Sequence, residues 1–343
     1  MYRARRRRLL LGFVLVVFLA HTAGQVLNDT GRARMPTART RNERPRASMA
    51  VVSWPHQGQA ALVLGNGRPA ASPGEQPVPI ASLAKVMTAY LTLKHYRLNV
   101  GQDGFTITVT EADAQAEADD ADRRESVVAV QAGEQLTERQ LLEALLIPSG
   151  NNIARMLATV VAGSETSFVA EMNAEARALG MDHTDYTDPS GWDPRTVSTA
   201  ADQLRVFQKA MHFAALRQIV SMPGVTLPVA GRLTNFNPLI ADGYAGKTGS
   251  DSAAGGCLAF FTRVTVGGRP LTAVGVVMGQ GHGNNTSEIL AAAGSAAKQL
   301  VESAAPSSGT STPGASGAPG AAVGALASQR QPPPPGPSRS AQH

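Results

Sequence analysis

From Pro306 to His343 the chain consists of Pro, Gly, Ala and Ser with almost no large apolar side chain, ending near four consecutive prolines at 332–335. Such a stretch cannot bury a core, and residues 305–343 are expected to form a disordered tail. Residues 25–49, rich in Arg, Thr, Asn and Pro, have equally little to bury and read as a basic flexible tether. A globular fold must therefore be built from about residues 50–304. With 43% hydrophobic residues in 343, there is ample material for it.

The first 24 residues have a different character. Arg3 and Arg5 to Arg8 precede the apolar run Leu9 to Ala20, which is short for a bilayer span but suits an export signal. Thr22-Ala23-Gly24 is the best cleavage site available. An uncleaved segment would act as a signal-anchor and hold the protein to a membrane. Residues 1–46 carry eleven arginines against Asp29 and Glu43, a balance of +9 within a total of +5. The rest of the chain then carries −4, without the basic stripe that nucleic-acid binding requires. No nucleic-acid partner is expected.

Cys257, the single cysteine, excludes an intramolecular disulfide, and its apolar setting reads as a buried structural thiol. The seven histidines are scattered without metal-ligand spacing. Neither a metal nor a cofactor is expected.

Within the folded region the periodicity changes twice. Gln59 to Leu64 reads as a strand closed by the turn Gly65-Asn66-Gly67. Leu83, Val86, Met87, Tyr90 and Leu91 then define the buried face of a helix over Ser82 to Leu98. Residues 137–220 continue as mostly helix. Thr137 and Gln140 form a capping box before Leu141 to Ile147, and a further helix runs from Ser164 to Gly180. Beyond it, Val225–Val229, Tyr244–Thr248, Cys257–Val264 and Leu271–Met278 read as strands, the last two joined by Gly267-Gly268. A closing helix spans Ser287 to Ser303. This order predicts an α/β (α+β) fold, an antiparallel sheet flanked by helices with an inserted all-helical lobe. The acidic stretch Glu111 to Glu125 reads as a solvated face without a catalytic role.

Three short motifs carry chemistry. Ser82-Leu83-Ala84-Lys85 places a hydroxyl and an amine on one helix face. Serine is a weak nucleophile until a neighbour takes its proton, and a lysine whose pKa is lowered by burial and nearby positive charge can do so. Alone the pattern is weak, because Ser295-Ala296-Ala297-Lys298 also obeys it, in the closing helix and without partners. Ser149-Gly150-Asn151 follows Ile147-Pro148 at a break between helices. Ser149 can relay a proton between Lys85 and a leaving amine, and Asn151 can bind a substrate amide and hold Lys85. Lys247-Thr248-Gly249 lies on a predicted strand. Lys247 supplies positive charge for a substrate carboxylate and for depressing Lys85. Gly249 permits close backbone approach, and the N–H groups of Ser82 and Ser250 can form an oxyanion hole.

The three motifs in this order are those of penicillin-binding proteins and class A β-lactamases. The chain resembles the low-molecular-weight penicillin-binding proteins of the serine-type D-alanyl-D-alanine carboxypeptidase family. Pro79 to Thr88, Leu145 to Asn152, Phe168 to Asn173, Asp188-Pro189-Ser190-Gly191, Gly246 to Gly249 and Ala254 to Cys257 carry the likeness. It implies a β-lactamase/transpeptidase-like fold and removal of the terminal D-alanine from peptidoglycan stem peptides during cell-wall biogenesis. Ser82 would form the acyl-enzyme, Lys85 would accept its proton and Ser149 would assist. Lys247 and Thr248 would bind the terminal carboxylate, and β-lactams would acylate Ser82 as covalent inhibitors.

The chain departs from the family in three places. A Pro/Gly-rich tail follows the catalytic region directly, Ser250-Asp251-Ser252 follows the K-T-G where Tyr-Thr is frequent, and Trp192 stands where leucine is usual. Three rival readings are a class A-like β-lactamase, a D,D-endopeptidase or transpeptidase, and a non-catalytic wall-binding module. The first lacks its E-x-x-x-N segment, since Glu165, Glu171 and Glu175 have no asparagine four residues on. The last would have lost a motif residue, and none is missing.

Overall fold

The structure, a computed structural model, describes residues 52–281, 283 and 285–305. The expected export signal, the tether and the tail from Pro306 onward lie outside the described residues. Along the chain the strands are β1 (Gln59–Leu64), β2 (Ala70–Ala71), β3 (Val78–Pro79), β4 (Thr106–Thr108), β5 (Gln135–Thr137), β6 (Val197–Ser198), β7 (Gly224–Leu227), β8 (Gly231–Thr234), β9 (Ala245–Asp251), β10 (Gly255–Val266) and β11 (Arg269–Gln280). The helices are α1 (Ala84–His95), α2 (Glu111–Asp122), α3 (Glu138–Leu146), α4 (Asn151–Ala162), α5 (Glu165–Ala178), α6 (Ala200–Ala210), α7 (Ala214–Val220) and α8 (Thr286–Ala304).

The main sheet has five antiparallel strands in the order β2-β1-β11-β10-β9. Side chains alternate across a strand, and both faces of this sheet are covered. Ala60, Leu62, Leu258, Phe260 and Val277 pack with Ala293, Ala297 and Leu300 of α8. Ala61, Val63, Ala259, Val276 and Met278 join the larger core shared with the helical lobe. Burial on both sides is why Gln59–Leu64 reads as a continuous apolar run rather than an alternating one. Gly267-Gly268 forms the β10–β11 hairpin, with φ of +56° and +77°.

Helix α1 packs among other helices, chiefly α6, α4 and α3, with α6 lying between it and the sheet. Its expected one-sided stripe is a correction: Ala84, Lys85, Thr88, Ala89, Thr92 and Leu93 are buried as well. A helix packed on most sides has no solvent face, so a periodicity that seeks one underestimates its burial. It also ends at His95 rather than Leu98; Tyr96 turns extended, and Leu98 is buried from the following loop. The expected capping box is present, with Thr137 Oγ1 accepting from Gln140 N–H and Gln140 Oε1 from Thr137 N–H. The expected strand at Val225–Val229 is present over Gly224–Leu227. This strand, β7, pairs only with β8 in a separate hairpin, outside the main sheet.

Glu138, at the start of α3, is buried with its Oε1 unpartnered among the described residues. Burial pushes its pKa up to about 7, against a hydrogen bond from the Phe105 backbone. The folded state then holds a proton that the unfolded chain releases above about pH 4.5, so its stabilising effect is complete below that pH and lost as pH rises through 7. Glu138→Gln is expected to raise stability by about 1 kcal/mol at pH 8 and by much less at pH 5. Thermal unfolding at the two pH values checks this; parallel shifts of parent and variant would refute it.

Candidate active site

Ser82 does not belong to the regular helix, as the sequence suggested, but to a 3₁₀ turn over Ala81–Leu83 that leads into α1. Ala81 opens that turn in the left-handed region at φ +45°. The turn leaves the hydroxyl at the positive end of α1, one turn below Lys85. Lys85 is fully buried, and its Nζ donates to Ser82 Oγ at 2.8 Å, Asn151 Oδ1 at 2.7 Å and the Ser190 carbonyl at 2.9 Å. Burial lowers its pKa to about 7; Asp188 and Glu125 oppose that fall, and Arg155 assists it. Desolvation is thus the leading cause, with Arg155 as a helping cation; Lys85 and Lys247 also disfavour each other's charge, as the sequence suggested.

Ser149 sits between α3 and α4 in the left-handed region at φ +69°, and Asn151 is the first residue of α4. Lys247, on β9, donates from Nζ to Ser149 Oγ at 3.0 Å and to the Thr248 carbonyl at 2.7 Å. Its pKa is pushed well down by burial and by the charge of Lys85. The direct partner of Ser149 is therefore Lys247 rather than Lys85. The sequence suggested a place for Ser149 beside Lys85; here its hydroxyl is bonded to the other buried amine of the cleft.

Two glycines allow these elements to meet. A Cβ on Gly249 would lie 3.1 Å from the Leu83 nitrogen and 3.2 Å from that of Ser82, so β9 runs directly beside the Ser82 turn. A Cβ on Gly191 would fall 1.8 Å from the Ala81 carbonyl oxygen, at a φ of +79°. Gly191 belongs to a loop organised by Asp188. One carboxylate oxygen accepts from Ser190 Oγ at 2.5 Å and from the Ser190 and Trp192 N–H groups; the other accepts from Thr196 Oγ1 at 2.7 Å. That loop presents the Ser190 carbonyl to Lys85.

Ser82, Ser149, Asn151, Thr248, Gly249 and Ser250 line one cleft of about 280 Å³. All eight candidate residues are thus brought together, with Lys85 and Lys247 buried beneath it. The second S-x-x-K is elsewhere, and Lys298 forms an exposed ion pair with Asp242.

The sequence marked Trp192 at the cleft edge, but several other wall residues were not legible in it. Exposed Trp192 and Phe236 form part of the wall, as do Arg124 and Glu125. Glu125 corrects the reading of residues 111–125 as a solvated face. Most of α2 is exposed, but Asp120 and Glu125 are buried, and Glu125 Oε2 accepts from Asn151 Nδ2 at 2.8 Å. Arg155, four residues beyond Asn151 and so on the same helix face, was the available signal.

Residues 70–281 match the family model of peptidase S11, D-alanyl-D-alanine carboxypeptidase. The chain belongs to that family. The chain is 33% identical over 220 residues to D-alanyl-D-alanine carboxypeptidase DacB2 of Mycobacterium tuberculosis, covering 61% of this chain and 71% of that protein. With a D-alanyl-D-alanine endopeptidase of Pseudomonas aeruginosa it shares 32% identity over 208 residues, 57% of this chain and 63% of the relative. The crystal structure of the Streptomyces K15 DD-transpeptidase superposes with a TM-score of 0.62 at 24% identity, covering 74% of this chain and 99% of that one. The S11 member described here thus has the penicillin-binding DD-transpeptidase fold, as the family resemblance implied.

Proposed function

We propose that this S11 peptidase is an exported serine D-alanyl-D-alanine carboxypeptidase that removes the terminal D-alanine of peptidoglycan stem peptides. The observation that carries the reading is the environment of Lys85 Nζ. Asn151 Oδ1 and the Ser190 carbonyl provide acceptors for both N–H bonds of a neutral amine, which leaves its lone pair facing Ser82 Oγ. A pKa near 7 makes that neutral form abundant at physiological pH.

Ser82 Oγ attacks the carbonyl of the penultimate residue while its proton passes to Lys85. The N–H groups of Ser82 and Ser250 hold the oxyanion. Lys247 and Thr248 bind the terminal carboxylate, and charge from that carboxylate favours the ammonium form of Lys247. The leaving D-alanine amine takes the Ser82 proton from Lys85 by way of Ser149, which returns Lys85 to its neutral form. Water then attacks the Ser82 ester and gives a proton to Lys85, which passes it to the departing Ser82 Oγ as the shortened peptide is released. A penicillin, whose amide resembles the scissile bond, acylates Ser82 in the same way. The endopeptidase relative supports a second reading, in which the same steps cut a D-alanyl cross-link.

Mass spectrometry of the intact protein tests this after incubation with benzylpenicillin and, separately, with a peptide ending in D-Ala-D-Ala. A long-lived penicilloyl adduct on Ser82 and release of one D-alanine are expected. Absence of both would end the proposal, and rapid penicillin turnover would make the protein a β-lactamase instead.

A further inference from the structure

The carboxylate of Glu125 has no free oxygen. Oε2 accepts from Asn151 Nδ2 at 2.8 Å and from Arg155 Nη2 at 2.9 Å, and Oε1 accepts from Arg123 Nε at 3.1 Å. Asp120 bridges the same two arginines from the other side. The neighbouring backbone holds the Ser-Gly-Asn turn too, because the Ser126 carbonyl accepts from Asn151 N–H at 2.7 Å and Ser126 Oγ donates to the Pro148 carbonyl at 3.1 Å.

How Glu125 arrives there is a separate observation. Helix α2 ends with Glu125 N–H bonded to the Asp120 carbonyl and Arg124 N–H to that of Ala121, the two bonds of a Schellman turn. Glycine normally fills the left-handed position of this turn, but here it is Arg124, at φ +61°. A side chain in that conformation is unfavourable, and it is tolerated where the surrounding contacts compensate. The turn carries the chain from an exposed acidic helix into the cleft wall and aims Glu125 at Asn151.

An amide can present either end to a neighbour. With its Nδ2 committed to a carboxylate acceptor, Asn151 must present Oδ1 to Lys85 Nζ, as it does at 2.7 Å. We propose that Glu125 is a positioning residue of this site, fixing the Asn151 amide so that its oxygen faces Lys85 and thereby placing the Lys85 amine against Ser82. The inference rests on the reading of Ser82 and Lys85 given above. It does not make Glu125 a base, since every oxygen of the carboxylate is already engaged by a donor.

Glu125→Gln cannot satisfy Asn151, Arg155 and Arg123 together, because one acceptor oxygen becomes a donor. Acylation by a fluorescent penicillin is expected to slow about 10- to 100-fold. In the Asn151→Ala background the same change should add less than about twofold. Additive losses would show that Glu125 does not act through Asn151 and would overturn the proposal. So would a Glu125→Gln enzyme that acylates normally but cannot hydrolyse its ester, the mark of a deacylating base.

A readout independent of acylation is the NMR titration of Lys85 in protein carrying ¹³Cε-labelled lysine, which gives only five signals. Asp188, Arg155, Glu125 and Lys247 are the charged groups around Lys85, and only Glu125 is altered. Its loss removes a favourable charge, so the Lys85 midpoint should move to lower pH; an unmoved midpoint would overturn the inference. This arm holds even if penicillin fails to label the parent, which would count against the carboxypeptidase reading alone. Should Glu125→Gln not fold, Glu125→Asp keeps the charge but withdraws it from Asn151. Slower acylation with little change in the Lys85 midpoint is then expected, and normal acylation would overturn the assignment.

Discussion

Ser82→Ala is expected to leave a folded protein that neither binds penicillin covalently nor releases D-alanine, a loss on the order of 10⁴-fold or more. Among the described residues no other hydroxyl stands in the same relation to Lys85. Ser149 faces Lys247, and Ser190 reaches Lys85 only through its carbonyl. The change should cost about 1 kcal/mol of stability, because Ser82 Oγ makes one hydrogen bond, to Lys85, and lies partly open to the cleft. Gel fluorescence with a labelled penicillin and a D-alanine release assay read the two activities, and circular dichroism reads the fold. Covalent labelling that survived in Ser82→Ala would place the nucleophile elsewhere.

Removing the amine opposite Ser82 should be nearly as damaging. Lys85→Ala takes away the side-chain amine bonded to Ser82 Oγ, and acylation is expected to slow by about 10²- to 10⁴-fold. The pH dependence gives a sharper test. Below its pKa of about 7, Lys85 is an ammonium and cannot accept the Ser82 proton; above it, the neutral amine can. Acylation by the parent protein should therefore rise with pH to half its maximum near 7, and Lys85→Ala should lack that rise. A variant that kept the same limb would assign it to another group. Burial is what gives Lys85 this property, since an exposed lysine titrates near 10.5 and would be almost wholly charged at neutral pH.

The parts of the site written in local spacing were open to reading before any coordinates. The three-residue separation of Ser82 and Lys85 survives although Ser82 lies in a 3₁₀ turn, because both conformations bring residues three apart to one side. Lys247 and Gly249 lie on one strand with Thr248 between them, which the change of period announced. The caps at Thr137 and Ser164 also followed from short-range chemistry, as each side chain satisfies an N–H three residues ahead.

Contacts between distant segments were not legible. Nothing near Glu125 in sequence distinguishes it from the exposed acids of α2, and its burial follows from Arg155 and Asn151 arriving from another helix. The pairing of Ser149 with Lys247 joins residues 98 apart, and that of Lys85 with the Ser190 carbonyl joins residues 105 apart. Desolvation belongs to the same class, because a pKa depends on everything that excludes water around the group. The amino-acid sequence by itself thus determined which residues carry chemistry and on what kind of element each would lie, through hydrogen bonds and periodicities that span a few residues. Only the tertiary structure decided which amine faces which hydroxyl, how deeply each is buried and which carboxylate stands behind Asn151, because those outcomes are set by packing between elements that the chain brings together from far apart.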